Sequence, residues 1–364
     1  MPTIGLVMTT YNEEKVIKRC LESVLPYIDY YSIGVDVKTT DNTKSIIEET
    51  LKDKTGVVFD SPWRGFADAR NQAFEHFTWD VDWFLIIDAD MVLVDEGFDK
   101  ESLNKDLTGY LITIRQGKTY WDMNWLVNAD YDWHWRGILH EFLDCRDNIQ
   151  TQEEKLQGLY WKHGGDGGAR PKDAAMFKRD ADVFLNALVD ETDPFMVQRY
   201  TFYLANSYRD AGMKRESIIF YRMRAKMGGW EQEVYLSHFY AGRGSNNPQD
   251  YLNAIYTIPT RCDALVEFIY YGIENHNFEI INKGLELYDE SVNENRVWDT
   301  EGLFFSNRIN DLYDWVSIAL SRVGRFDESK KMMLRLIDIY SQDKDFDNVE
   351  RVKNNLALFK KEGH

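Results

Sequence analysis

The feature that most constrains this chain is the regular alternation of apolar runs and amphipathic segments over its first ninety residues. The apolar runs have the length of strands and occupy residues 4–8, 32–37, 57–59 and 83–87. Between them, residues 13–24 and 66–77 carry apolar side chains at helical spacing. This alternation predicts an open, largely parallel α/β sheet. The fourth run is apolar throughout, as expected of a strand buried on both faces.

A polar cluster directly follows each of three predicted strands. The clusters are residues 9–13, 36–43 and 88–90. Because open α/β sheets bind their ligands at the carboxyl ends of the strands, we expect a common site there. Asp88 and Asp90 leave a buried strand two residues apart, and a divalent cation would relieve their repulsion. Magnesium or manganese, held by one or two carboxylates and substrate phosphates, fits this pattern, and a solvated turn is the alternative.

The turn after the first strand argues against a dinucleotide-binding enzyme. Such an enzyme needs a glycine-rich turn that lets a pyrophosphate approach the helix N-terminus. Residues 9–14 contain no glycine and end in Glu13 and Glu14, whose carboxylates would repel a pyrophosphate. We therefore expect this turn to contact a base or a ribose, with a metal ion handling the phosphates.

Charge and cysteine usage narrow the class of protein. The formal net charge of −18 disfavours a dedicated nucleic-acid-binding role. The three cysteines, Cys20, Cys145 and Cys262, are far apart and indicate reduced thiols in a cytoplasmic protein. We expect no secretory signal, and no apolar run approaches the roughly 18 residues that a transmembrane helix needs. Any membrane-bound partner would be met from the surface.

A glycine-rich segment at residues 164–168 predicts a domain boundary, with an α/β domain at 1–167 and a helical domain at 168–364. Beyond the boundary, two helix pairs each have a glycine at their turn, Gly212 and Gly324. Their length is close to the tetratricopeptide repeat of about 34 residues. Helical repeats form concave surfaces suited to extended ligands, so a glycan or peptide ligand, a protein partner or a second copy of the chain are all candidates for this domain.

Four ordered stretches resemble the donor domain of family 2 glycosyltransferases, which have the GT-A fold. They are MTTYNEE at 8–14, VDVKTTDNT at 35–43, PWRGFADARN at 62–71 and LIIDAD at 85–90. Two later stretches, LHE at 139–141 and KHG at 162–164, resemble a subgroup with C-terminal tetratricopeptide repeats. The resemblance implies a Rossmann-like mixed sheet followed by an all-α repeat domain. It also implies a hexosyltransferase-like enzyme that uses a nucleoside-diphosphate sugar, a UDP-sugar in particular.

The resemblance assigns roles to individual residues. The nucleoside pocket would be lined by Thr9, Tyr11 and Glu13, and Asp36 would accept a hydrogen bond from the base. Arg70 would approach the diphosphate or the donor sugar, with Asn71 alongside. Asp88 would lie near the ribose or sugar, and Asp90 would bind the metal. The family usually has a glycine or serine shortly after the aspartate of its second motif. Residues 37–39, VKT, stand there in this chain, so we expect the local turn to differ.

Two later residues complete the predicted site. A partly desolvated carboxylate suits removal of the acceptor proton, and we predict Glu141 as this base with Asp144 in reserve. The alternative for Glu141 is a structural ion pair with Arg136 or Arg146. His163 is a candidate metal ligand that would favour manganese over magnesium, because imidazole binds manganese better. Its alternative is a surface histidine.

These residues predict a metal-dependent transfer of a sugar to a hydroxyl of a glycan or a protein, and the resemblance implies inversion at the anomeric carbon. A nucleotidyl- or phosphotransferase with the same aspartate pair remains an alternative. A repeat scaffold with an inactive transferase domain is a third possibility. Six aromatic residues between 120 and 135 could form an acceptor platform, although ordinary strand packing explains most of them better.

Overall fold

The structure is a computed structural model that describes residues 1–117, 119–147, 149–164, 173–299, 302–304 and 308–361. The chain divides into two compact units, Met1–Lys172 and Asp173–His364. The predicted boundary between residues 167 and 168 lies outside the described residues, as does most of the glycine-rich segment that suggested it.

The first unit is an α/β domain with three α-helices and ten strands among its described residues. In chain order they are β1 (Ile4–Thr10), α1 (Ile17–Val24), β2 (Tyr30–Asp36), α2 (Thr43–Thr50), β3 (Thr55–Ser61), α3 (Phe66–Glu75), β4 (Trp83–Ile86), β5 (Met91–Asp95), β6 (Gly109–Gln116), β7 (Thr119–Asn128), β8 (Trp133–Arg136), β9 (Phe142–Cys145) and β10 (Glu153–His163). The predicted alternation of strands and helices is present. The first helix begins later than expected, because residues 11–16 form a turn instead.

Eight of these strands form one mixed sheet in the order β3-β2-β1-β4-β7-β6-β10-β5. The strands β1 to β4 are parallel to their neighbours within this group, as the sequence predicts. Beyond β4 the sheet becomes mixed, since β7 is antiparallel to β4 and β6, while β10 is parallel to β6 and antiparallel to β5. The strands β8 and β9 form a separate antiparallel ribbon.

Helices α1 and α3 show how the periodicity of the sequence builds the core. Helix α1 buries Ile17, Cys20, Leu21 and Val24, which recur on one face, and it contacts α2 and β5. Helix α3 contacts β1, β2 and the β8 strand of the ribbon. Burying one large aliphatic side chain contributes about 1.5–3 kcal/mol, so these faces hold the helices firmly over the sheet.

The second unit is all-α and contains ten helices in its described part. They are α4 (Ala174–Asp190), α5 (Pro194–Asp210), α6 (Lys214–Lys226), α7 (Glu231–Ser245), α8 (Pro248–Thr257), α9 (Asp263–Glu274), α10 (Phe278–Asn293), α11 (Ile309–Arg322), α12 (Phe326–Gln342) and α13 (Phe346–Lys361). Each helix contacts mainly its neighbours along the chain, which is the organisation of a helical repeat array. Gly212 and Gly324 stand at the predicted turns with φ of 76° and 81°, a conformation that glycine adopts without strain.

The predicted fold class is therefore confirmed: a mixed-sheet α/β domain precedes an all-α repeat domain. Among the described residues, no helix combines the length and the apolar character needed to cross a lipid bilayer.

Candidate active site

The predicted site residues cluster at one edge of the sheet. Strands β1, β2 and β4 are parallel neighbours that end at Thr10, Asp36 and Ile86. Their carboxyl ends therefore open toward the same edge, where open α/β sheets bind ligands. The three polar clusters of the sequence follow these three strand ends directly.

Hydrogen bonds join the loop after β1 to the loop after β2. The backbone N–H of Glu13 donates to Thr43 Oγ1 at 2.7 Å, and that of Thr40 donates to Asn12 Oδ1 at 2.8 Å. Tyr11 projects from this assembly and is half exposed, while Thr9 is partly buried at the end of β1. The two loops thus form one polar wall with an exposed aromatic ring, which can contact a planar base.

Asp36 is buried at the end of β2, and its Oδ1 accepts a hydrogen bond from the backbone N–H of Lys38 at 2.8 Å. Its carbonyl oxygen also accepts from the N–H of Thr39, at 2.8 Å. The segment that departs from the family pattern therefore folds back on Asp36. One carboxylate oxygen of Asp36 is already engaged by the turn.

Arg70 on α3 connects two of the predicted site residues. Its Nη2 donates to Asp88 Oδ1 at 2.7 Å, and its Nε donates to Glu141 Oε1 at 3.0 Å. The guanidinium lies over the ring of Trp135, 4.6 Å from the ring centroid. Burial alone would lower the pKa of Arg70, but the carboxylates of Asp88 and Glu141 raise it above its usual value. Arg70 is thus a fixed cation between the strand end and the ribbon.

Asn71, the next residue on α3, fastens the ribbon to the helix. Its Nδ2 donates to the carbonyl oxygen of Trp135 at 3.0 Å, and its Oδ1 accepts from the N–H of Trp135 at 2.7 Å. The side-chain amide therefore pairs with β8 much as a neighbouring strand would. Both of its polar atoms are committed to the backbone, which differs from the donor contact expected beside Arg70.

The turn between β8 and β9 brings Glu141 to Arg70. Gly137 and His140 in this turn have φ of 112° and 51°. A Cβ on Gly137 would lie 3.3 Å from the Cα of Glu141, so a larger residue there would crowd the base candidate as well as strain the backbone. The side chain of Glu141 is 13% exposed and is held by Arg70 through Oε1.

The reserve candidate, Asp144, is more fully engaged. Its Oδ2 accepts from Arg136 Nη1 at 2.8 Å, and its Oδ1 accepts from the N–H of Cys145 at 2.9 Å. Arg146, the other arginine considered as a partner of Glu141, donates to Asp132 at 3.0 Å. The geometry therefore favours Glu141 over Asp144 as the group that meets an acceptor.

Asp90 faces His163 across the start of β5. Asp90 Oδ2 and His163 Nε2 are 3.5 Å apart, and both side chains are largely buried. The N–H of Gly164 donates to the carbonyl oxygen of Asp90 at 3.3 Å, while β10 pairs His163 with Met91. The adjacent strands β5 and β10 thus fix both side chains.

The chemistry of this pair fits a hard divalent cation. One carboxylate and one imidazole 3.5 Å apart can share an ion at ligand distances of about 2.1 Å. Within the described part of the chain, no group of three or more His, Cys, Asp and Glu side chains is arranged to hold a metal. Two protein ligands are sufficient where substrate phosphates supply the others. Asp88 is turned toward Arg70 instead.

The thiol of Cys20 is affected by the negative charge at this edge of the sheet. Its Sγ lies 3.6 Å from the carbonyl oxygen of Asp88 and can donate to it. Burial raises the pKa of the Cys20 thiol far above its usual value, and the carboxylates of Asp88 and Asp90 raise it further. The thiol therefore stays protonated, and the two carboxylates concentrate charge that a cation would stabilise.

Sequence reasoning considered Trp135 only as one of six aromatic residues of a possible acceptor platform and did not predict its contact with Arg70. Trp125, Trp133 and Trp135 are each at most 6% exposed, as the packing interpretation of the aromatic stretch expects. Trp135 also carries Arg70 on its ring and receives Asn71 on its backbone. Neither its place in the aromatic stretch nor its position six residues before Glu141 indicates a contact with α3.

Residues 6–106 match the sequence model of the family described as glycosyl transferase family 2. This match covers the segment that supplies Thr9, Asp36, Arg70, Asp88 and Asp90. No curated protein sequence matches the chain. The match lies within the first unit and agrees with the resemblance seen in the sequence, and the predicted class of enzyme is confirmed.

The solved structures that are similar to this chain include two of S. aureus TarS and one of TPR-like repeats. S. aureus TarS 1-349 in complex with UDP-GlcNAc is 12% identical, with 84% of this chain and 97% of that chain covered and a TM-score of 0.32. A longer S. aureus TarS structure is also 12% identical, with 70% and 55% covered and a TM-score of 0.38. The TPR-like repeats of a kinesin light chain from Podosopora anserina are 11% identical, with 47% and 87% covered and a TM-score of 0.34.

Proposed function

We propose that the chain transfers a sugar from a nucleoside-diphosphate sugar to a hydroxyl of a glycan or peptide acceptor, with a divalent cation and with inversion at the anomeric carbon. The observation that carries the proposal is the contact of Arg70 with both Asp88 and Glu141. This contact couples the strand end predicted to hold the donor to the carboxylate predicted to act on the acceptor. The adjacent pair of Asp90 and His163 supports the cation.

In this proposal, the donor's nucleoside lies along the polar wall formed by the loops after β1 and β2. Tyr11 contacts the base, and Thr9, Glu13 and the remaining acceptor oxygen of Asp36 bind its polar edge or the ribose. Asp88 binds a hydroxyl of the ribose or sugar. Asp90 and His163 hold Mn²⁺ or Mg²⁺, which supplies charge neutralisation for the departing diphosphate.

Glu141 performs the proton transfer. As the acceptor oxygen forms its bond to the anomeric carbon, its proton passes to the Glu141 carboxylate. The bond from the anomeric carbon to the diphosphate oxygen breaks, and its electron pair leaves with the nucleoside diphosphate. Attack opposite the leaving group inverts the anomeric configuration. Arg70 holds the carboxylates of Asp88 and Glu141 at fixed positions relative to each other during this displacement. Asn71 positions the ribbon that carries Glu141.

The test is a donor assay on the full chain with UDP-glucose, UDP-N-acetylglucosamine, UDP-galactose and GDP-mannose, with and without Mn²⁺. We expect release of nucleoside diphosphate from one donor in the presence of Mn²⁺. Asp90→Asn should lower this release by about 10²–10³ because a ligand of the charge-neutralising cation is lost. Asp106→Asn, at an exposed position before β6, is the matched control and should turn over normally.

Three results would contradict the proposal. Release of pyrophosphate in place of nucleoside diphosphate would indicate nucleotidyl transfer. Full activity of Asp90→Asn would remove Asp90 from the metal site. If none of the four donors is turned over or bound with Mn²⁺, the reading of the first unit as an inactive domain would stand instead.

A further inference from the structure

The repeat unit contains a cavity of about 420 Å³ between α7, α8 and α9. Its walls include Arg243, Tyr251, Glu267, Tyr270, Glu274 and Asn275, and we call it the repeat cavity. The volume lies within the range of about 300–1,000 Å³ that small-ligand sites occupy. The whole cavity belongs to the second unit, so it is separate from the residues of the candidate active site.

Close packing of α8 on α7 builds the inner wall. Tyr251 is 4% exposed and lies against Gly242, where an added Cβ would meet the tyrosine ring at 2.8 Å. Burial and the carboxylate of Glu267 raise the pKa of Tyr251 to about 12. Its hydroxyl therefore remains a neutral donor and acceptor at physiological pH. The inner wall thus offers a fixed phenol.

Glu267 offers a carboxylate whose charge is compensated from outside the cavity. Its Oε1 accepts from Arg308 Nη1 at 2.6 Å, and Arg308 also donates to Asp311 through Nε at 2.9 Å. Because a carboxylate has about four acceptor positions, the pair leaves Glu267 able to accept further hydrogen bonds. A ligand hydroxyl can use these positions without introducing a charge.

Tyr270 forms an aromatic wall that is already held in place. It is 38% exposed, and its ring centroid lies 4.7 Å from that of Trp315 on α11. An aromatic ring braced in this way loses little conformational freedom when a ligand covers it, so its apolar face is available at low entropic cost. Aromatic faces of this kind bind the apolar faces of sugar rings.

The charges around the cavity select against a strongly charged ligand. Arg243 and Glu274 are exposed charges of opposite sign on the walls, and Glu267 is paired with Arg308. An anion would meet the carboxylates of Glu267 and Glu274, and a cation would meet the guanidinium of Arg243. A neutral ligand with many hydroxyls instead uses the phenol, the carboxylates, the guanidinium and the Asn275 carbonyl together.

We propose that the repeat cavity binds a neutral saccharide unit, with Tyr270 against the ring face and Glu267 and Glu274 accepting hydrogen bonds from its hydroxyls. This is a second carbohydrate site, in the repeat unit, and it does not depend on the donor chemistry of the first unit. A peptide is the competing ligand class, and it would be favoured if none of the saccharide probes binds.

Isothermal titration of the full chain with neutral pentasaccharides tests the proposal. The probes are β1,4-linked glucose, β1,4-linked N-acetylglucosamine, α1,4-linked glucose and α-linked mannose oligomers. We expect one of them to bind, and Tyr270→Ala to raise its dissociation constant about tenfold or more because the ring platform is lost. Glu274→Gln, at an exposed position that cannot disturb the core, should weaken binding several-fold.

Tyr256→Ala is the matched control, because Tyr256 is a 58% exposed tyrosine on α8 that is not among the cavity walls. It should bind the sugar like the unchanged chain. The idea is overturned if none of the four sugars binds, or if Tyr270→Ala binds as tightly as Tyr256→Ala. Donor turnover is measured in the same preparations, so a failed donor assay with intact sugar binding would refute only the proposed function.

Discussion

Both units contain an arginine held between acceptors from separate segments, but the two arginines differ in what surrounds them. Arg70 joins Asp88 to Glu141, and the Asp88 side chain is 36% exposed. Arg261 is 1% exposed and donates to Asp263, Gln232 and the carbonyl of Leu303, with its guanidinium 4.4 Å from the centre of the Tyr235 ring. The contacts of Arg70 lie at the edge of the sheet where we expect a ligand, whereas the contacts of Arg261 are buried.

This difference in exposure indicates a structural role for Arg261 and a catalytic role for Arg70. A buried ion pair adds little net stability, but removing one partner leaves a charge that cannot be solvated. Arg261 therefore holds α7 and the start of α9 together. At Arg70, water reaches one of the partners, so stability depends less on the contact. The contact instead fixes two carboxylates relative to each other, which is useful for catalysis.

The largest expected effect is on stability and comes from breaking the buried contacts of Arg261. Arg261→Met should lower the free energy of unfolding of the second unit by about 3–5 kcal/mol, because the buried carboxylate of Asp263 loses its partner. Urea unfolding followed by circular dichroism at 222 nm measures this change. Arg322→Met, at an exposed position of α11, is the control and should change stability by less than about 0.5 kcal/mol.

A combined variant sharpens this prediction. Arg261→Met with Asp263→Leu should recover much of the loss, since the unpaired charge is removed as well. A single variant as stable as the unchanged chain would mean that Arg261 is not structural, and the contrast with Arg70 would disappear.

The next effect is on activity. Arg70→Met should lower nucleoside-diphosphate release by about 10²–10³, because Asp88 and Glu141 lose their common cation. The free energy of unfolding should fall by no more than about 2 kcal/mol. Arg70→Lys should rescue little, since an ammonium group lacks the planar fork that reaches two carboxylates. Arg64→Met, just before α3 and largely exposed, is the control.

If Arg70→Met lost much stability and lost activity in proportion, Arg70 would be a structural residue like Arg261. Turnover of donor by Arg70→Met at the rate of Arg64→Met would remove Arg70 from the site.

The edge of the sheet that holds the site was predictable from sequence because its signals are local. Each polar cluster directly follows an apolar run, so knowing the strand is enough to place the cluster. The parallel order of β1, β2 and β4 then brings the clusters together. The same reasoning placed Asp88 and Asp90 at one strand end, although it did not predict that they face different partners.

The contacts that define the site were not predictable, because they join distant segments. Arg70 lies 18 residues from Asp88 and 71 residues from Glu141. From sequence, the arginines closest to Glu141 were the natural candidates for an ion pair. In the fold, the ribbon turns Glu141 toward α3, while Arg136 donates to Asp144. Register and turn geometry decide such pairs, and neither can be read from composition.

In the repeat unit as well, local features were predictable from sequence and contacts between distant segments were not. Its helix pairs were predictable from the 3.6-residue periodicity and from Gly212 and Gly324 at the turns. The partners of Arg261 were not, since Gln232 and Leu303 lie 29 and 42 residues away. A buried arginine in a helical repeat has no sequence signature that separates it from an exposed one until the neighbouring helices are placed.

A smaller effect is expected at Asn71, which acts through the ribbon. Asn71→Ala should lower turnover by about 10–100-fold, as is usual for a residue that positions a catalytic group, while donor affinity stays unchanged. Asn71→Asp should be no better, because its second oxygen would face the carbonyl of Trp135. Glu75→Gln, at an exposed position on the same helix, is the control. Weaker donor binding in Asn71→Ala would instead support the donor contact predicted for Asn71.

The smallest effect is expected at Asp144. Its partner Arg136 and Asp144 itself are about one-third exposed, and an ion pair of this kind is worth about 0–1 kcal/mol. Asp144→Asn should therefore change stability by less than about 1 kcal/mol and leave turnover within a few-fold of normal. Glu141→Gln is the matched comparison and should lose about 10²–10⁴ in transfer, the usual range for a general base. If Asp144→Asn loses more activity than Glu141→Gln, the base is Asp144, and the contact of Arg70 with Glu141 becomes a structural support for β9.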